Sequence, residues 1–161
     1  TFYEHKSAVK AIDWNDRSHN TLVSAGGVSD QQIIIWNAID NSIISRINTG
    51  SQICSVLWNK NMKNDLVSSH GFSNNEISLW SFSRYNNKIY KWAELKGHKS
   101  RILHMSMNNN GTNIATLSPD ETLRIWDIAK NILLIHILLN IKLKIQNYTK
   151  INKKNSLKIA L

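Results

Sequence analysis

Three segments of this chain share one internal spacing. Asp30 precedes Trp36 by six residues, Asn74 precedes Trp80 by six, and Asp120 precedes Trp126 by six. The last copy reads Ser118-Pro119-Asp120-Glu121-Thr122-Leu123-Arg124-Ile125-Trp126-Asp127. Its Ser-Pro-Asp opening is turn chemistry, because proline presets φ and an aspartate can bond its own backbone a residue or two onward. Thr122 to Trp126 then alternates polar and apolar residues, as a short strand does. A turn-and-strand unit that recurs three times restricts the chain to a repeat architecture, in which each unit buries a face against its neighbour.

The segments between these landmarks read as further short strands. Ala8 to Trp14, Thr21 to Ala25, Ile33 to Trp36 and Ile43 to Ile47 form a first set, with Gly26-Gly27-Val28-Ser29-Asp30 as a turn. The pattern restarts at Gly50, with strands at Ile53 to Trp58, Asp65 to Ser69, Ile77 to Trp80 and Lys91 to Leu95. Ser83 to Lys88 is expected as an exposed loop. A third set opens at Gly97-His98 and runs through Ile102 to Met107, Asn113 to Leu117 and Thr122 to Trp126. Aligned on the closing Trp, the repeats are 44 and 46 residues apart; aligned on Trp14, Trp58 and Met107, they are 44 and 49 apart. Such periods, with a Gly-His opening and a Trp-Asp close, are the WD-repeat pattern of an all-β propeller. A propeller closes with about 4 to 8 blades. Three repeats (5–48, 49–96 and 97–135) are therefore expected to be part of a ring, its C-terminal part.

Charge bears on what such a chain could bind. The net charge is +9, but seven Lys and no acid follow Asp127, which leaves residues 1 to 127 at +2. The basicity belongs to the Ile/Lys/Asn-rich tail, 136–161, expected to be weakly structured, with a membrane-surface helix as the alternative. The near-neutral repeats argue against a nucleic-acid surface. Cys54 is the only cysteine, which excludes an intramolecular disulfide, and the six His lack metal-ligand spacing, so neither metal nor cofactor is expected.

Within a WD repeat, buried polar groups satisfy one another. The last repeat offers His98, a hydroxyl from Ser118 or Thr116, Asp120 and the Trp126 ring N–H; the first offers His5, Asp30 and Trp36. The middle repeat reads as degenerate, with Thr49 in place of His and Asn74 in place of Asp ahead of Trp80. Ser118, His98 and Asp120 could be drawn as a catalytic triad, but the relay accounts for all three and no nucleophile turn accompanies them.

Several stretches carry a narrower resemblance. Ala8-Val-Lys-Ala-Ile-Asp-Trp14, Ser29-Asp-Gln-Gln-Ile-Ile-Ile-Trp36, Ser51-Gln-Ile-Cys-Ser-Val-Leu-Trp58 and His70-Gly-Phe-Ser-Asn-Asn-Glu-Ile-Ser-Leu-Trp80 come in this order. Ala93-Glu-Leu-Lys-Gly-His-Lys-Ser-Arg-Ile-Leu103 and Asp120-Glu-Thr-Leu-Arg-Ile-Trp126 follow. Over residues 5 to 127 the chain resembles the Fizzy and Fizzy-related family, the WD-repeat activators of the anaphase-promoting complex. The region corresponds to the last three of seven blades.

The resemblance implies a non-enzymatic adaptor of the nucleus and cytoplasm, which brings destruction-box and KEN-box substrates to a ubiquitin ligase. Its partners would be ligase subunits, degron-bearing proteins and checkpoint inhibitors. Glu121 matches the acid that receives the destruction-box arginine, a pairing suited to bidentate contact. Gln52 and Arg101 match positions lining the KEN-box site, and Val28 stands where the family commonly has a Thr. The family ends in Ile-Arg, whereas this chain ends Ile159-Ala160-Leu161. A generic WD-repeat scaffold would explain the blades without Gln52, Arg101 and Glu121.

Overall fold

Short alternating segments separated by turns pair most cheaply with their sequence neighbours. The computed structural model, which describes residues 3–129, consists almost wholly of such pairs. Strands β1 (Val9–Trp14), β2 (Thr21–Gly26), β3 (Gln32–Asn37) and β4 (Ser42–Asn48) form one sheet in that order. Strands β5 (Ile53–Trp58), β6 (Asp65–His70), β7 (Ile77–Ser83) and β8 (Lys88–Leu95) form a second. A third contains β9 (His104–Met107), β10 (Asn113–Leu117) and β11 (Leu123–Asp127). This is the expected all-β architecture of propeller blades.

Register repeats between blades. Trp14 lies opposite Leu22, and Leu22 opposite Trp36; in the second sheet Trp58 lies opposite Leu66, and Leu66 opposite Trp80. Irregularities fall at matching places, Val9/Ala11 with Ile53/Ser55 and Ile35/Trp36 with Leu79/Trp80. Bulges increase local twist, and their recurrence gives the two blades the same coil.

The apolar run Ile33-Ile34-Ile35-Trp36 does not alternate because β3 is buried on both faces. Val23, Ala25, Ile33 and Ile35 share one core with Ile53, Val56, Trp58 and Leu66 of the second sheet. Leu22, Ile34 and Trp36 pack with Ile43 on the opposite face.

Two boundaries differ from expectation. The loop expected over Ser83 to Lys88 shrinks to the turn Arg84–Asn87, because Phe82 pairs with Ile89 and both are buried. β9 begins at His104, not Ile102; the Ile102 amide instead donates to the His70 carbonyl at 3.3 Å, tying the third sheet to the second. Contacts divide the chain into units 1–126 and 127–161. The tail expected over 136–161, and an outer strand expected from Ile132, lie outside the described residues. Among the described residues no helix is long and apolar enough to cross a membrane.

Candidate functional site

A polar thread runs through each sheet, and it has to be separated from any binding site. In the first sheet His5 Nδ1 donates to Asp30 Oδ2 at 2.5 Å, Ser24 Oγ donates to His5 Nε2 at 2.7 Å, and Trp36 Nε1 donates to Ser24 Oγ at 2.7 Å. In the third, His98 Nδ1 donates to Asp120 Oδ2 at 2.9 Å, Thr116 Oγ1 to His98 Nε2 at 2.8 Å, and Trp126 Nε1 to Thr116 Oγ1 at 2.8 Å. One tautomer, protonated at Nδ1, satisfies every atom in both threads. Burial pushes the Asp30 carboxyl up, but the Lys6 amide and His5 outweigh it and hold its pKa below the ordinary value. Asp120 is lowered in the same sense: burial opposes, and Thr122, the Lys99 amide and His98 prevail.

The third thread decides between the two candidate hydroxyls. Thr116 supplies the hydroxyl, whereas Ser118 donates to the Ser100 carbonyl at 3.1 Å. Thr116 is a strand residue aimed inward; Ser118 already belongs to the turn. Ser118 makes no bond to His98, so the three residues do not form a nucleophilic triad.

The middle sheet differs more. Its repeat departs from the pattern at Thr49 and Asn74, yet it carries a complete thread by another route. His70, the last residue of β6, places Nε2 2.7 Å from Ser68 Oγ and Nδ1 2.6 Å from Ser51 Oγ, and Trp80 Nε1 donates to Ser68 Oγ at 2.7 Å. A His from within the sheet thus fills the place of one from the preceding loop, and Ser51 replaces the carboxylate. Asn74 keeps the turn position of Asp30, but its side chain is exposed, and its contact is Ser73 Oγ at 3.4 Å. Thr49 bonds the Gln31 and Ser51 carbonyls at 3.0 Å each.

The turns after β2, β6 and β10 set the geometry of one end of the blades. Gln31 donates to Gly27 O at 2.9 Å, Asn75 to Gly71 O at 3.0 Å, and Glu121 to Ser118 O at 3.2 Å. Their φ values are 56°, 48° and 64°, in the left-handed region that non-glycine residues enter at a cost. Val28, Phe72 and Pro119 occupy the matching turn tips, with Val28 63% and Phe72 84% exposed. Gly71 N donates to Gln52 O at 2.9 Å, which puts Gln52 beside the second turn, and the Ile102 bond to His70 brings Arg101 to the same end. Cys54 fits this placement: burial raises its thiol pKa while the charges of Arg101 and Lys10 lower it. Val28, Gln52, Arg101 and Glu121 therefore lie at one end of the sheets, on three different blades. Among the described residues no cluster of His, Cys, Asp or Glu could hold a metal ion.

The WD domain, G-beta repeat family model matches residues 1–37 and 90–127, leaving out most of the middle blade, whose thread is the atypical one. This is a WD-repeat chain. The APC/C activator protein CDH1 of Saccharomyces cerevisiae is 42% identical over 134 residues, covering 80% of the WD-repeat chain and 22% of the yeast protein. WD repeat-containing protein srw1 of Schizosaccharomyces pombe is 41% identical over 136 residues, with 80% and 22% covered. Cell division cycle 20.1, cofactor of APC complex, of Arabidopsis thaliana is 42% identical over 125 residues, with 78% and 26% covered. A chain in the crystal structure of the mitotic checkpoint complex superposes with a TM-score of 0.73 at 32% identity, over 77% of this WD-repeat chain and 37% of its own length. These relatives bear out the resemblance read from residues 5 to 127. The WD-repeat chain spans about a quarter of the length of the relatives it matches.

Proposed function

We propose that this chain is a degron-reading part of an activator of the anaphase-promoting complex, working without chemistry of its own. The observation that carries the reading is the 42% identity to proteins named as an activator and as a cofactor of that complex. The placement of Val28, Gln52, Arg101 and Glu121 at one end of the blades supports it. Glu121 would take the arginine of a destruction box. Gln52 and Arg101 would take the Asn amide and Glu carboxylate of a KEN box, with Val28 lining the same site. On this reading the partners are ligase subunits, degron-bearing proteins and checkpoint inhibitors, and the protein acts in nucleus and cytoplasm.

Two charge reversals in the full-length protein test the reading. Glu121→Arg sets a like charge against the peptide arginine and should weaken a labelled destruction-box peptide at least about tenfold, sparing a KEN-box peptide. Arg101→Glu should do the opposite. Fluorescence titration of both peptides against both variants decides it. A generic scaffold would bind neither peptide, and equal losses for both would remove the assignment of separate sites.

A further inference from the structure

Between the turn tip of the middle blade and the loop entering the last blade lies a concave site of about 470 Å³, lined by Phe72, Asn75, Lys99, Ser100, Arg101 and Pro119. We propose that this concavity extends the KEN-box site and receives an acidic residue next to an apolar one in the sequence flanking the degron. The inference rests on the degron-reading function proposed above and names a further determinant of its specificity.

The loop entering the last blade sets two cations between buried residues. His98 and Ile102 are buried, and Lys99 and Arg101 are exposed. Lys99 and Ser100 form a bend between the two buried residues. Both cations line the same concavity. Among the described residues neither forms an ion pair, although other surface cations here do: Lys91 and Lys96 both meet Glu94, and Arg46 meets Glu4. Asp120 of the adjoining turn is already engaged by His98, Thr122 and the Lys99 backbone amide.

Apolar residues share the lining. Phe72 is 84% exposed at its turn tip, and Pro119 lies at the turn of the next blade. Asn75 lines it too, its amide nitrogen 3.5 Å from the Lys99 carbonyl. One exposed ring is ordinary on a protein surface. A ring that lines the same concavity as two cations without ion pairs fits a peptide that presents a carboxylate and an apolar side chain close together. Arg101 would be shared with the degron Glu, so Lys99 and Phe72 carry the added selectivity.

Three labelled KEN-box peptides test this on the full-length protein: one with an Asp-Leu pair in the flank, one with Asn-Ser, one with Lys-Ser. The Asp-Leu peptide should bind about two- to fivefold tighter than Asn-Ser, the scale of a partly exposed ion pair, and the gain should shrink with salt. Lys-Ser should bind weakest. Lys99→Gln, which removes the charge without adding an opposing one, should shrink both the Asp-Leu gain and the Lys-Ser penalty, and Phe72→Ser should remove part of the Asp-Leu gain. Equal affinities for the three flanks, or an unchanged ranking in Lys99→Gln, overturn the inference and leave the KEN-box reading standing. Failure of every peptide to bind wild-type protein overturns the underlying reading, and the inference with it.

Discussion

His70 has its chemistry strongly changed by its surroundings. Burial lowers its pKa to about 4; Lys91 adds to the shift and Glu76 opposes it. An unfolded histidine titrates near about 6.5. Between those values the unfolded chain binds more protons than the folded one, so stability falls as pH drops from about 6.5 to about 4, then levels off. The full effect is on the order of 3 kcal/mol. Asp30 and Asp120 work in another window. Their folded pKa values lie below the ordinary carboxylate value, so their contribution is present above about 4 and is lost only as pH falls further. Urea midpoints measured from pH 7 to 4 should slope in the wild type and flatten in His70→Gln. An unchanged slope would place the titrating group elsewhere. Glu121 shows a different tension: at a φ of 64° it occupies a conformation suited to glycine. Glu121→Gly should change stability by less than about 1 kcal/mol, because relief of the turn offsets the added freedom of the unfolded chain. It should nevertheless abolish destruction-box binding, a strain kept for function. Retention of binding would show that the carboxylate is not the contact.

Elements show how far the sequence could be read. The strands and their order were legible because turn residues and alternation are local properties. The threads of the first and third blades were legible too, since His5 and His98 stand at similar distances before Asp30 and Asp120. The Gly-His opening has a spatial cause there: a Cβ on Gly97 would lie 2.6 Å from Arg124 Nη1 and 3.0 Å from the Trp126 ring. The middle blade was misread because spacing records position along the chain, and His70 reaches the equivalent place from the end of β6, not from the loop before the blade. Its neighbour Glu76 was also hidden in the sequence. That carboxylate is 3% exposed and pairs with Lys91 Nζ at 2.6 Å, with Ser78 Oγ at 3.2 Å. Burial lowers the Lys91 pKa, but Glu76 and Glu94 outweigh it and raise it. Lys91→Met should leave Glu76 without its main partner and cost about 2 kcal/mol, less than the ~3–5 kcal/mol of a fully buried pair because Lys91 is part-exposed. Adding Glu76→Gln should restore most of the loss in urea melts. Additive losses would mean the two residues do not depend on each other.

At the scale of the whole molecule, one face of the first sheet decides behaviour in solution. Ile12 and Trp14 of β1 share a face with Leu22 and Trp36, by the pairings Trp14 to Leu22 and Leu22 to Trp36. Leu22 and Trp36 are buried, but Ile12 is 63% exposed and Trp14 55% exposed. The corresponding Trp58, in the second blade, is 5% exposed, within the core that joins two sheets. The same strand position is therefore dry where another blade lies against it and wet where none does. A wet apolar strand of this kind is an association surface. The 161-residue chain studied alone should self-associate with rising concentration, visible in sedimentation velocity as a growing weight-average coefficient. Ile12→Lys with Trp14→Lys should suppress this, since two charges on the face oppose burial against a second copy. The melt should shift little, because both side chains are already largely in water. If the double variant associates as strongly as the wild type, a different surface drives the association.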